Sequence, residues 1–174
     1  MKLRIFNKTK SFLEQINNDF VHIFKFSGKI TKKEDKNCYI LTVNNKILIL
    51  YFLKIIGLSF GKKASLFIPD ALKNKKLLKY FLAGLFDTDG FKTDTYGIMM
   101  QGSNYDFLKN ITELLEKWYD IKSRKIYYGT AETMFGIKSR CQFQIKSKSM
   151  EKFINTIPLR HSRWKLVGRV VQPG

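Results

Sequence analysis

Two stretches of the chain carry the same order of hydrophobic and polar positions. Near the N-terminus, Leu3 to Phe6 alternates like a strand and Asn7-Lys8-Thr9 is a polar turn. Phe12, Ile16, Phe20 and Ile23 then recur at helical spacing. Lys29–Lys33 and Tyr39–Val43 follow as strands, and Ile47–Ile56 as a helix closed by Gly57. About 95 to 103 residues further on the order repeats. Tyr96–Met100 predicts a strand, and Gln101-Gly102-Ser103-Asn104 a turn with Ser103 as a helix N-cap. Leu108, Ile111, Leu115 and Trp118 form the helical stripe. Strands are expected around Ile121–Tyr128 and Phe135–Lys146, then a short amphipathic helix from Ser149 to Ile157 ahead of Pro158. Identity between the copies is low, so pattern and turn placement carry the repeat.

Between the copies lie Ile68-Pro69-Asp70-Ala71-Leu72, a Lys-rich stretch, and Leu77 to Gly90, for which the first copy has no counterpart. Leu77, Leu78, Phe81, Leu82 and Leu85 predict a helix that is apolar on most sides. Ala83 and Gly84 are small enough to admit a second backbone, and such packing would offset the roughly 0.5–1 kcal/mol that glycine costs inside a helix. Asp87 and Asp89 sit at the helix C-terminus, the unfavourable end of the dipole for anions. That placement asks for a compensating cation, and oxygen ligands suit Mg²⁺. Gly90 is placed to end the helix in a left-handed conformation. A buried helix with an Asp-rich turn is the plainer reading of the same residues.

The 174 residues hold 32 Lys and Arg against 14 Asp and Glu, a formal net charge of +18. Residues 1–75 carry +10 and residues 76–174 carry +8, so the excess is spread over the fold. Nucleic acid is the leading partner for such a surface, because phosphate neutralisation releases counterions. A lysine bias from AT-rich coding is the bland alternative. A hydrophobic fraction of 44% with 15 Phe excludes a disordered basic tail. Two distant cysteines, Cys38 and Cys141, exclude a disulfide framework, and both are expected to face the core at equivalent places as small hydrophobes. No apolar run approaches the roughly 20 residues of a membrane span, and the N-terminus lacks a signal peptide's apolar region. A reducing intracellular compartment, cytoplasmic or organellar, is expected, without a membrane partner.

Residues 138–148 alternate cleanly. Lys138, Arg140, Gln142, Gln144, Lys146 and Lys148 fall on one side; Ser139, Cys141, Phe143, Ile145 and Ser147 fall on the other. At roughly 3.4 Å per residue the run spans about 37 Å, close to one turn of B-DNA. Gln pairs with adenine and Arg or Lys with guanine, so this face is a candidate for major-groove reading, with Lys122 and Arg124 beside it. A solvated outer sheet face is the alternative, weakened here by the absence of glutamate. Tyr127 and Tyr128 are candidates for base stacking or for plain sheet packing. Neither His22 nor His161 has a partner at zinc spacing.

Leu82-Ala83-Gly84-Leu85-Phe86-Asp87-Thr88-Asp89-Gly90 resembles the motif of the LAGLIDADG homing endonucleases, differing from the family's name at two positions. The segment Gly57 to Ile68-Pro69 looks like the lead-in to the second motif of two-repeat, archaeal or intein-type members. The resemblance implies an α+β fold of two αββαββα units, pseudo-twofold, with an antiparallel sheet saddle on DNA and a first repeat lacking its opening helix and strand. The expected divisions are 1–67 for the first repeat, 68–76 for a linker and 77–174 for the second repeat. The resemblance further implies Mg²⁺-dependent cleavage of double-stranded DNA. Asp89 would be the metal ligand, Asp87 structural, and Gln101 a solvent-ordering residue with Asn7 as its counterpart. Lys63, or Lys62, would be the basic residue near the scissile phosphate, with Arg160 or Arg163 in the second copy. Ala83 and Gly84 would pack against a second motif helix, supplied by another chain or a homodimer. The alternatives are a silent DNA-binding relative and an intron RNA maturase.

Overall fold

The strand–helix–strand–strand–helix order is realised twice, in two units formed by Met1–Leu58 and Ser59–Gly174. The computed structural model describes residues 2–57, 66–93, 97–133 and 136–164.

In the first unit, β1 (Leu3–Asn7), β2 (Lys29–Lys33) and β3 (Cys38–Val43) form an antiparallel sheet of order β1-β3-β2. Helix α1 (Lys10–Phe24) packs on one face, where Leu13 and Phe20 meet Leu41, Val43 and Leu48. Ile23, expected in the buried stripe, is 64% exposed. At 3.6 residues per turn the line through Leu13, Ile16 and Phe20 continues to Phe24. The Phe24 ring lies 5.8 Å from those of both Phe20 and Phe52. The expected helix at Ile47–Ile56 divides into α2 (Lys46–Leu50) and a wider π turn over Tyr51–Ile55. Gly57 follows at φ 77°, a left-handed conformation that glycine adopts without strain.

The second unit comprises α3 (Lys75–Asp89), β4 (Gly90–Lys92), β5 (Ile98–Gly102), α4 (Tyr105–Tyr119), β6 (Tyr127–Thr133), β7 (Gly136–Gln144) and α5 (Ser147–Thr156). Its sheet has the order β4-β5-β7-β6, so β5-β7-β6 reproduces β1-β3-β2. The described helices cover one face: Leu82 and Phe86 of α3, Leu108 and Leu115 of α4, and Phe153 of α5 bury against Met100, Phe143 and Ile145. Phe86 stands at the centre, its ring 4.7 Å from Phe153 and 6.3 Å from Phe143. Ile68 is 1% exposed in this core and α3 already begins at Lys75, so the expected linker belongs to the second unit and the division falls after Leu58.

Three local expectations are corrected. The N-cap of α4 is Asn104, whose carboxamide oxygen accepts the Phe107 N–H at 2.9 Å. Regular pairing of β6 begins at Tyr127; before it, only Ser123 bridges, to Ile145. Strand β7 ends at Gln144, so Lys146 is the residue before α5 and Lys148 lies inside that helix. Among the described residues, no helix is long and apolar enough to cross a membrane.

The two units align through their strand-to-helix turns. Asn7 and Gly102 each end a strand three residues before a helix, and they pair with Tyr39 and Cys141 respectively. The counterpart of Cys141 is therefore Tyr39. Cys38 shares its side of the sheet with Ile40 and Thr42, opposite Leu41 and Val43, and is only half-buried. The expected equivalence of the two cysteines does not hold. By the same register the counterpart of Gln101 is Phe6, because Phe6 pairs with Ile40 as Gln101 pairs with Gln142.

Candidate nucleic-acid interface and motif end

Among the described residues, no helix of the second unit packs on the face of its sheet opposite α3, α4 and α5. Register places Met99, Gln101, Tyr127, Arg140, Gln142 and Gln144 together there, since directly opposed residues of an antiparallel pair share a face. Gln142 lies between Gln101 on one side and Tyr127 on the other. The Nε of Arg140 and the Oε1 of Gln142 are shielded from solvent and have no hydrogen-bond partner among the described residues. Buried polar atoms are normally satisfied, so this face holds unused donor and acceptor capacity. Tyr127 is 62% exposed on it. Tyr128 points to the other side, its ring 6.5 Å from that of Tyr105.

Lys122 and Arg124 are exposed and flank Ser123, whose bridge to Ile145 turns them away from the core. Main-chain hydrogen bonds fix both, Arg124 N–H to the Gln144 carbonyl at 2.7 Å and Lys146 N–H to the Lys122 carbonyl at 2.9 Å. The expected six-residue face is thus four strand residues long. Lys138 is carried by β7 opposite Ala131, and its side chain lies outside those described. Lys146 and Lys148 are exposed beyond the strand. Sequence periodicity alone missed the corresponding face of the first sheet, where Arg4, Lys29 and Thr31 stand with Phe6 on the side away from α1. Short strands of mixed polarity hide this alternation until pairing is known.

The motif occupies the second half of α3 and its exit into β4. Asp87 is 3% exposed, and its carboxylate accepts the main-chain N–H of Arg160 at 2.9 Å and of His161 at 3.1 Å. Arg163 donates from Nη1 to the Gly90 carbonyl at 2.7 Å and from Nη2 to the Asp87 carbonyl at 3.0 Å. A cation on these terminal carbonyls offsets the negative end of the helix dipole. Burial pushes the Arg163 pKa down, while the Asp87 and Asp89 carboxylates push it back up. His161 is nearly buried and its Nδ1 accepts the Arg163 N–H at 3.1 Å. Burial, reinforced by the Arg163 charge, holds its pKa below the usual imidazole value. Arg163 is therefore engaged in ending the helix. Arg160 has an exposed side chain.

Gly90 has an extended backbone, φ −77° and ψ 152°, and opens β4; it is not a left-handed cap. Its glycine identity follows from space, because a Cβ there would lie 2.6 Å from the Phe86 carbonyl oxygen. Ala83 is buried within its own unit's core, whereas Gly84 is exposed and a Cβ there would meet nothing within 4 Å. Of the expected packing pair, only Gly84 faces outward, on the same side as Leu77 and Tyr80, which are 49% and 60% exposed.

Asp89 is exposed at the last position of α3 and lines one small pocket with Gln101, Leu85, Ser103 and Asn104. Asn7 instead closes its own turn, its side chain accepting the Thr9 N–H at 2.8 Å. Lys62 and Lys63 lie outside the described residues. No group of three or more His, Cys, Asp or Glu side chains able to hold a metal occurs among the described residues. A single carboxylate beside an amide fits Mg²⁺, which commonly binds one or two carboxylates and completes its shell with water and substrate phosphate.

No family model matches the chain. A curated relative, the glutamine–fructose-6-phosphate aminotransferase (isomerizing) of Methanocaldococcus jannaschii, is 34% identical over 116 residues, 65% of this chain; the chain spans a tenth of that protein's length. Among solved structures, the homing endonuclease I-DmoI in complex with DNA and Ca superposes with a TM-score of 0.66 at 18% identity, covering 97% of this chain and 82% of that one. A glycine-to-serine variant of I-DmoI in complex with its target DNA in the presence of Mg gives 0.64 at 17% identity, covering 92% and 82%. Full-length DUF199/WhiA from Thermatoga maritima gives 0.62 at 14% identity, covering 98% of this chain and 52% of that one. The chain has the fold of the LAGLIDADG homing endonucleases.

Proposed function

We propose that this protein binds double-stranded DNA on its open sheet faces and cleaves it by Mg²⁺-dependent phosphodiester hydrolysis. The observation that carries the proposal is the shared pocket of Asp89 and Gln101, which stands beside a sheet face rich in Gln and basic side chains. Asp89 would hold the metal, and Gln101 would orient water by its amide. The metal, when bound, supplies Lewis-acid activation of water and neutralises charge on the leaving oxygen. Gln142, Gln144 and Arg140 would contact base edges, with Lys122, Arg124, Lys138, Lys146 and Lys148 nearer the phosphates. Arg160 and Lys63 are the basic candidates for the scissile phosphate. Arg163 and Asp87 would act as positioning residues at the end of the motif helix.

Asp89 is one acid, and cutting both strands calls for a second. It would come from a second copy of the chain or from another motif-bearing chain, packed on the face of α3 that exposes Leu77, Tyr80 and Gly84. A match to one tenth of an aminotransferase suits an element embedded in a host protein, as an intein is.

The test is selection from randomised duplexes in Ca²⁺, followed by addition of Mg²⁺. Cleavage of the selected duplex that disappears in Asp89→Asn, with binding retained, is the expected result. Cleavage unchanged in Asp89→Asn would overturn the assignment of the acid. Selected binding without cleavage in any divalent ion would favour the silent DNA-binding relative, and preference for folded intron RNA would favour the maturase.

A further inference from the structure

The far end of the motif helix carries a second basic surface that the DNA-binding reading does not use. Lys75, Lys76 and Lys79 of α3, Lys117 of α4 and Lys152 of α5 line an open groove with Trp118 at its wall. Among the described residues that line it there is one acid, Asp120, which pairs with Lys152 at 2.7 Å. That leaves the four other ammonium groups, which form no salt bridge to a described acidic side chain. Two of them lie over aromatic rings, Lys79 at 5.1 Å from the Tyr80 centroid and Lys117 at 5.2 Å from that of Trp118. The Tyr119 hydroxyl donates to the Lys75 carbonyl at 2.5 Å and ties the end of α4 to the start of α3, so the groove walls are held together.

Position separates this groove from the open sheet face. Fifteen residues of α3 at 1.5 Å each place Lys75 about 20 Å along the helix from Asp89. The groove lies among the helices, which cover the other side of the sheet from Gln142 and Gln144. One straight duplex on the open face does not reach it. The chemistry also selects the ligand. The ammonium groups are exposed or half-exposed point charges, an arrangement suited to a row of phosphates and not to enclosure of one small anion. Lys75 and Lys79, four apart, rise from one helix face about 5–6 Å from each other. A basic groove with an aromatic side chain at its wall is the arrangement that tracks a nucleic-acid backbone while offering a surface for a base.

We propose that the groove lined by Lys75, Lys76, Lys79, Lys117 and Trp118 is a second nucleic-acid site, which holds the phosphodiester backbone of a single-stranded segment separate from the duplex on the sheet. It goes beyond the cleavage reading and does not depend on it.

The experiment is fluorescence anisotropy of the full chain with labelled dT12, rU12 and a mixed-sequence duplex across a salt series. The triple variant Lys75→Gln/Lys79→Gln/Lys117→Gln should lose at least tenfold in single-strand affinity. Its plot of log K against log salt should be shallower by about 2, from three phosphate contacts at roughly 0.7 each. Duplex affinity should stay within twofold. The matching triple Lys→Arg variant should bind single strands like the parent, which separates charge from fold, and thermal melting checks both variants. The dT12 and rU12 arms tell whether DNA or RNA is the natural source of the backbone. Single-strand affinity and salt slope unchanged in the Gln variant would overturn the proposal, as would an acidic peptide of equal length binding as tightly as dT12. Loss of duplex binding in Gln142→Ala/Arg140→Gln tests the sheet reading separately, so failure of one is not failure of the other.

Discussion

Arg163 grips the end of the motif helix from a position 76 residues away in sequence, with Nη2 on the Asp87 carbonyl at 3.0 Å. Its second terminal nitrogen reaches the Gly90 carbonyl at 2.7 Å, so one guanidinium spans the turn that presents Asp89. An ammonium group has no planar fork and reaches one carbonyl at a time. Arg163→Lys should therefore destabilise the second unit by about 1 kcal/mol and Arg163→Ala by about 1–3 kcal/mol, because buried carbonyls lose a charged donor. Urea denaturation gives both values. An unchanged midpoint in Arg163→Ala would remove the residue from any structural role.

Asp87 serves the same turn from the opposite direction. Its carboxylate is the acceptor for two main-chain N–H groups, of Arg160 and His161, at an almost fully buried site. Asp87→Ala leaves both donors unsatisfied and should cost about 2–4 kcal/mol. Asp87→Asn keeps one acceptor oxygen and should cost about half as much. The ratio of the two losses, measured by denaturation, reads how much of the effect is hydrogen bonding.

The neutral form of His161 is favoured in the folded protein, because burial and the Arg163 charge lower its pKa and Asp87 only partly opposes them. A depressed histidine pKa contributes stability that is fully present above the unfolded value of about 6.5 and is lost as pH falls through it towards the folded value. Unfolding midpoints should therefore decline on acidification below about pH 6.5. In His161→Asn that share of the decline should vanish. An identical pH profile in the variant would sink the assignment.

Gly84 and Gly90, six residues apart, should respond to alanine with opposite signs. Gly84 is exposed with open space around it, so Gly84→Ala should stabilise the chain by about 0.5–1 kcal/mol through helix propensity. Gly90→Ala drives a methyl group into the Phe86 backbone and should destabilise by about 1–3 kcal/mol. If the Gly84 face seats a second motif helix, Gly84→Ala should at the same time weaken self-association in sedimentation. Tighter association would exclude that face as the interface.

Gln142 should trade stability for recognition. Its Oε1 is shielded and has no hydrogen-bond partner among the described residues, so Gln142→Leu should leave stability unchanged or raise it by up to about 1 kcal/mol. On a selected duplex the same change should cost about 1–3 kcal/mol and relax specificity at one base pair. Parallel melting and binding measurements test both halves, and equal affinity for matched and mismatched duplex in the parent would refute a reading role.

Elements whose period is set by local geometry were legible in the sequence. The α4 stripe, the 138–144 alternation and the order of the repeat follow from 3.6 and 2.0 residues per turn, and backbone geometry imposes those periods wherever a core must be covered. The motif was legible because Asp87, Asp89 and Gly90 stand at fixed offsets from an apolar helix. Phase, partner and exposure were not. Ile23 fell on the exposed side, Cys38 fell on the outer side, and Lys148 entered a helix, because strand pairing and helix start decide which side a residue takes. The engagement of Asp87 with residues 160, 161 and 163 lies over 70 residues away in sequence, a distance no local pattern spans. The repeat, the motif helix and the spread of positive charge follow from the order of residues alone. That Asp89 and Gln101 share a pocket while Asp87 and Arg163 hold the turn is a product of packing, because it depends on which distant groups the fold brings within reach of each other.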